Sequence, residues 1–311
     1  MNTMKALQAT GDAGLVAFAD VPVPRPAPDE ALVRVEAFSV NRGEIFQLQR
    51  PPERHAPGWR PGKDVAGVVV EAARDGSGPR AGQRVVAHPP GLGWAEYAAV
   101  RTADLAQLPE QVPSALAAAL PLAGITALRL LRTAGALAGR RVLVTGASGG
   151  VGHYVVELAA GAGAEVTAVS ATPDRGRRLR ELGAAAVVTG PGEATGPFDV
   201  VLESVGGDSL PRALALLAPG GTLVWFGQAS RQPVTLNFFD FFDGPEGAAI
   251  RHFHYAGGPY GPDLATLVRL VAAGRLHPEI GRTAGWDGTA AVLADLHDRK
   301  ITGNAVLEVA R

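Results

Sequence analysis

At 311 residues the chain exceeds the size at which a single hydrophobic core keeps growing, so two domains are expected. Its 29 basic and 30 acidic residues leave a net charge of -1 with no run of like charge, which argues against a nucleic acid or membrane as partner and for a small ligand. Cysteine is absent, which excludes disulfides, thiolate nucleophiles and every zinc site built on sulfur, and suits a cytoplasmic protein.

The first hundred residues read as short β-type runs between prolines and glycines: ALVRVEAFSV from Ala31, DVAGVVVEAA from Asp64, QRVVAH from Gln83 and WAEYAAV from Trp94. No basic segment followed by an apolar stretch opens the sequence, so no secretion signal is expected. Residues from Gln111 to Leu128 carry no charge, but Pro113 and Pro121 interrupt them and Arg129 and Arg132 follow. A buried, Ala-rich helix is the expectation there, not a membrane span.

Further on, apolar runs alternate with amphipathic stretches: RRVLVT from Arg140, EVTAVS from Glu165, AAVVT from Ala185, FDVVLES from Phe198 and GTLVWFG from Gly221. This βαβ alternation predicts an α/β fold with a doubly wound parallel sheet, closed by a sixth strand in AAIRHFHYA from Ala248. DLATLVRLVAAG from Asp263 is helix-like, and the β-like ITGNAVLEV from Ile301 is expected to rejoin the N-terminal domain. The expected division is 1–117 with 262–311 for the β-rich domain and 118–261 for the inserted nucleotide-type domain.

Strand RRVLVT runs into Gly146-Ala147-Ser148-Gly149-Gly150-Val151-Gly152 and then a helical stretch. Residues this small let backbone N–H groups approach a pyrophosphate while the helix turns its positive end towards it, so Ser148, Gly149, Gly150, Val151 and Gly152 are candidate cofactor contacts. An NAD enzyme would end the next strand on an acid that receives the ribose hydroxyl; here EVTAVS leads into Ala171-Thr172-Pro173-Asp174-Arg175. Ser170, Thr172 and Arg175 suit a 2′-phosphate, favouring NADPH, and Asp174 keeps NADH as the alternative. Arg177, Arg178 and Arg180 read as a solvated helix face.

Taken in order, SVNRGE at Ser39, PGKDVAGVV from Pro61, AGQRVVAH from Ala81, GWAEYAAV from Gly93, PLAGITAL from Pro121, TGASGGVG from Thr145, ELGA from Glu181, ESVGG from Glu203, LAPGGTLVWFG from Leu217 and ITGNAVLEV resemble the medium-chain dehydrogenase/reductase superfamily, in its zinc-independent quinone oxidoreductase and enoyl reductase branch. The resemblance covers nearly the whole chain. It implies a GroES-like β-domain joined to a six-stranded Rossmann domain, with the active site in the cleft between them. It further implies that Asn41 approaches the nicotinamide and Thr126 its ribose, that Arg175 meets the 2′-phosphate, and that Gly227 and Gln228 lie near the carboxamide. Asn304 stands where relatives often have Lys.

Zinc-dependent members need a Cys in the segment matching SVNRGE and a His-Glu pair where this chain has Lys63-Asp64, so no metal is expected. The reaction so implied is hydride transfer to an activated C=C bond or a quinone, whose developing oxyanion needs hydrogen-bond stabilisation. Phe46 stands where some relatives carry Tyr and lines the substrate side without being able to donate a proton. Arg42 could stabilise the oxyanion or pair with Glu44. His55, Trp59, Phe241 and Phe242 are candidate pocket residues, and His88 and Tyr97 read as structural. A homodimer through the sixth strand is implied by the family and by the need to cover a sheet edge. The alternative is a non-redox member of the same fold, such as a biosynthetic cyclase or an NADPH-binding structural protein.

Overall fold

The computed structural model describes every residue except 1, 13, 52, 53, 243 and 311. It divides into two compact units, Met1–Ile125 with Gly257–Arg311, and Thr126–Ala256. The first begins with an antiparallel pair, β1 (Thr3–Ala9) and β2 (Val16–Pro22), whose alternation buries Met4, Ala6 and Val21. Then come β3 (Glu30–Val40), the short α1 (Arg42–Leu48), β4 (Val65–Glu71), β5 (Arg84–Ala87), β6 (Tyr97–Arg101) and β7 (Leu105–Gln107). β3 is the centre of this unit because it is long and apolar on both faces. It pairs antiparallel with both β4 and β6, and Phe38 stacks on buried Trp94 at 5.5 Å.

The uncharged run expected to be one helix is two, α2 (Ser114–Ala118) and α3 (Pro121–Ala134). Pro121 opens the second, where its missing N–H and fixed φ are tolerated, and the chain turns at Ala119 and Leu120. α3 runs unbroken through the point where the two units divide, Ile125/Thr126. The change of residue texture put that line at 117/118 and the return at 261/262; chain contacts place them at 125/126 and 256/257.

The second unit alternates strand and helix except at two places where strand follows strand without an α-helix: β8 (Arg141–Val144), α4 (Gly150–Gly161), β9 (Glu165–Val169), α5 (Pro173–Glu181), β10 (Ala186–Val188), β11 (Phe198–Glu203), α6 (Ser209–Leu214), β12 (Leu217–Trp225) and β13 (Ala249–His252). All six strands are parallel, in the order β10-β9-β8-β11-β12-β13. β8 and β11 are continuously apolar and buried because they lie centrally in the sheet. The sixth strand is shorter than the sequence suggested and stops at His252; Phe253 N adds one more bond, to Trp225 O at 2.9 Å. The chain winds outwards from β8 to β10, then crosses back to β11. The strand order therefore reverses beside β8, which puts the ligand crevice at the C-terminal ends of β8 and β11.

The chain then returns to the first unit through α7 (Gly261–Ala272), β14 (Ile280–Gly285), α8 (Thr289–His297) and β15 (Asn304–Glu308). β15 pairs with β3 and β14, giving the order β14-β15-β3-β4-β5-β7, so the last strand does join the N-terminal sheet. Among the described residues no helix is long and apolar enough to cross a membrane.

Candidate active site

The loop from β8 into α4 is shaped by two glycines. Gly146 has φ +61°, a left-handed conformation that side chains disfavour. At Gly152 a Cβ would overlap the Ala147 carbonyl, so only glycine lets the first turn of α4 lie this close to the strand end. Gly149 is the N-cap of α4, and no side chain caps the helix. The first N–H to bond back within the helix is that of His153, to Gly149 O at 3.3 Å. The backbone donors of Gly150, Val151 and Gly152 thus face the end of the helix where an anion is favoured. His153 is buried and its Nδ1 holds Gly149 O at 2.9 Å, while Ser148 is buried beneath the loop. A dinucleotide pyrophosphate fits this cradle.

At the end of β9, Ser170 is buried and its hydroxyl donates to Thr172 O at 3.1 Å. Thr172 caps α5, its Oγ1 accepting from Arg175 N at 3.4 Å. Asp174 pairs with Arg177 at 3.1 Å, with both side chains exposed. A cavity of about 300 Å³ opens here, lined by Thr172, Asp174, Arg177, Arg180 and Glu193 among others. Arg177 and Arg180 are exposed, as a solvated helix face would be, and Arg175 is half-buried one residue before Gly176 of that lining.

Over β11 and β12 the chain is tied together around Glu203. Its buried carboxylate accepts from Thr145 Oγ1 at 3.1 Å and from the N–H groups of Val205 and Gly206, both at 3.0 Å. Gly227 lies against Ser204, its carbonyl accepting from Trp225 Nε1 at 2.6 Å, and Gln228 is exposed with Nε2 on Gln232 O at 2.7 Å. Thr126 is buried in α3.

In the first unit the corresponding centre is Asp64. This buried carboxylate accepts from four elements: Ser39 Oγ at 2.7 Å, Asn41 Nδ2 at 2.8 Å, Leu122 N at 3.0 Å in the first turn of α3, and His88 Nδ1 at 2.9 Å. Asn41 is therefore held with its amide nitrogen towards Asp64. Its backbone N–H donates to Glu44 Oε2 at 3.0 Å, and Glu44 Oε1 accepts from Gly62 N and Lys63 N at 3.2 Å. Burial, and then the charge of Asp64, push the Glu44 carboxyl up to about 8, against the opposing pull of the Asn41 N–H and of Lys63. Arg42 opens α1, and Phe46 projects from it with its ring 41% exposed.

His55 and Trp59 stack face to face at 4.0 Å, with Trp59 also packed on the core of this unit. Asn304 is buried and its Nδ2 donates to Glu279 O at 3.1 Å, so its nitrogen serves chain packing. His88 packs edge-on against Tyr260, and Tyr97 packs on the core beneath β1. In the second unit Phe241 packs on the sheet core, but Phe242 is 61% exposed in a cluster with Phe238 and Phe239. Those three rings are exposed and pack on one another.

Among the described residues no group of three or more His, Asp or Glu is arranged to hold a metal. Residues 27–110 match the family model described as alcohol dehydrogenase GroES-like domain, and residues 150–273 match that described as zinc-binding dehydrogenase. The chain is 33% identical to the mitochondrial enoyl-[acyl-carrier-protein] reductase of Xenopus tropicalis over 70% of its own length and 67% of the relative's. It belongs to the medium-chain dehydrogenase/reductase superfamily, in the zinc-independent branch that includes quinone oxidoreductases and enoyl reductases. A chloroplast envelope quinone oxidoreductase homolog of Arabidopsis thaliana is 40% identical over 53% of the chain, which spans 55% of that relative. A mycobacterial protein solved with NADPH superposes with TM-score 0.85 at 26% identity, over 98% of this chain and 99% of the other.

Two residues that organise this family's loops here were not singled out from sequence, Asp64 and Glu203. Each is an acid at the end of an apolar run, a position where a strand has no other use for a charge.

Proposed function

We propose that the chain is a metal-independent, NADPH-dependent oxidoreductase that reduces a small hydrophobic conjugated carbonyl compound or quinone. The observation that carries this reading is the glycine cradle at the uncapped start of α4, beside the point where the strand order reverses. The bound cofactor would supply the hydride. The loop donors of Gly150, Val151 and Gly152 would hold its pyrophosphate. Arg175 at the start of α5 would pair with the 2′-phosphate, and the absence of an acid at the end of β9 supports NADPH over NADH.

The relatives named above support the substrate class, one acting on quinones and one on enoyl groups by their names. Asn41, fixed by Asp64, would position the nicotinamide end, and Arg42 would stabilise the negative oxygen that follows hydride transfer. The proton would come from water, since Phe46 offers none. We place the protein in the cytoplasm as a homodimer, with the outer edge of β13 as the contact, the one strand of this sheet besides β10 that pairs on a single side.

Calorimetric titration with NADPH and NADH tests the cofactor assignment. NADPH binding at least tenfold tighter than NADH, about 1.4 kcal/mol, is expected, with the gap closed by Arg175→Ala. Equal weakening of both by Arg175→Ala would remove the 2′-phosphate role. Tight NADPH binding with no oxidation across a panel of quinones and enones would favour a non-redox role.

A further inference from the structure

The Glu203 carboxylate has no part in the scheme above, although it is fully buried and no ion pair with Lys or Arg accompanies it among the described residues. Taking an ion out of water is unfavourable unless donors replace the solvent, and here three do: Thr145 Oγ1, Val205 N and Gly206 N. Each donor belongs to a loop and not to a strand ladder. Thr145 follows the last residue of β8 and precedes Gly146. It also accepts from Ser204 N at 2.9 Å, while Ser204 Oγ donates to Thr145 O at 3.0 Å. From the other side, Ala229 N reaches Ser204 O at 2.9 Å and Ser230 N reaches Val205 O at 2.8 Å.

Gly146 has no room for a Cβ because Ser204 Oγ would stand 2.5 Å from it, and Gly206 meets Gln228 in the same way at 2.7 Å. The loops that follow β8, β11 and β12 therefore form one interlocked surface at the C-terminal edge of the sheet, with the carboxylate at its centre. The end of β9, where the adenosine half of a dinucleotide is assigned, lies on the opposite side of β8 and shares none of these bonds. We infer that Glu203 is a positioning residue for the nicotinamide half of the dinucleotide, acting through Thr145 and the 204–206 loop. The inference rests on the dinucleotide reading proposed above.

The test is calorimetry on the full chain with two probes, NADPH and adenosine 2′,5′-bisphosphate, the second occupying only the adenosine half. Glu203→Gln puts an amide donor against existing donors and should weaken NADPH at least tenfold, leaving the bisphosphate within twofold of wild type. Thr145→Val, which removes the hydroxyl at the other end of the same bond, should show the same split, and Thr145→Ser should restore wild-type affinity for both. Should Glu203→Gln not fold, the Thr145 pair carries the test alone. Equal weakening of both probes would mean general damage and would overturn the inference, as would unchanged NADPH affinity. A wild-type chain that binds neither probe would overturn the dinucleotide reading and this inference with it.

Discussion

Each unit of the molecule buries a carboxylate at the end of an apolar run, and the two settings differ in company. Glu203 stands alone among loop donors. Asp64 shares its interior with a second acid, Glu44, whose pKa its charge helps to raise. A lone buried carboxylate satisfied by N–H and O–H groups can serve as a fixed anchor. Two in one low-dielectric space cannot both ionise without penalty, so the first unit acquires a pH dependence along with its anchor.

The comparison breaks most sharply at Asp64. Asp64→Ala strands four donors from four elements in a buried site, and a loss of about 3–5 kcal/mol is expected in denaturant unfolding. A loss under about 1 kcal/mol would mean that the network is not the anchor described.

Next comes Glu44. Its folded pKa is raised, so the native state holds the proton more tightly than the unfolded chain, and stability falls as pH rises from the ordinary carboxylate range towards about 8. Urea midpoints should drop between about pH 5 and pH 8 and level off above, and the slope should flatten in Glu44→Gln; an identical slope in the variant would assign the titration elsewhere.

On the nucleotide side, Gly152→Ala sets a Cβ against the Ala147 carbonyl. Dinucleotide affinity should fall about 100-fold, equivalent to roughly 2.7 kcal/mol, and undiminished binding would refute the cradle. The smallest effect is expected for Arg42→Ala, about a tenfold drop in turnover or roughly 1.4 kcal/mol of transition-state stabilisation, with cofactor affinity unchanged. Unaltered turnover would take the oxyanion role from Arg42.

The nucleotide unit was the more legible of the two in sequence. Its strands are continuous apolar runs because a parallel sheet is covered on both faces, and the glycine loop announces itself by steric need. In the first unit β14 escaped notice because Ile280–Gly285 is largely exposed and has no apolar periodicity to read. The β1–β2 pair passed unseen for a related reason, since exposed Phe18 and the adjacent buried pair Ala6 and Leu7 blur its alternation. Asn41 and Gly149 to Gly152 are recognisable as motif residues, whereas the carboxylate that holds the Asn41 amide, Asp64, lies 23 positions away. Sequence spacing carries no trace of such a meeting.

The position of β15 bears on how this chain is made. The six-stranded sheet is complete once residue 252 has been synthesised, so the second unit can fold while the protein is still being translated. The first unit must wait, because β15, the neighbour of the Ala37–Val40 end of β3, is residues 304–308, made some fifty positions after that sheet is complete. Until then the Ala37–Val40 end of β3 keeps a short, apolar open edge, the kind of edge that chaperones shield. Deleting residues 304–308 would leave that stretch open for good, and would damage a sheet whose partner strand lies some 270 positions earlier.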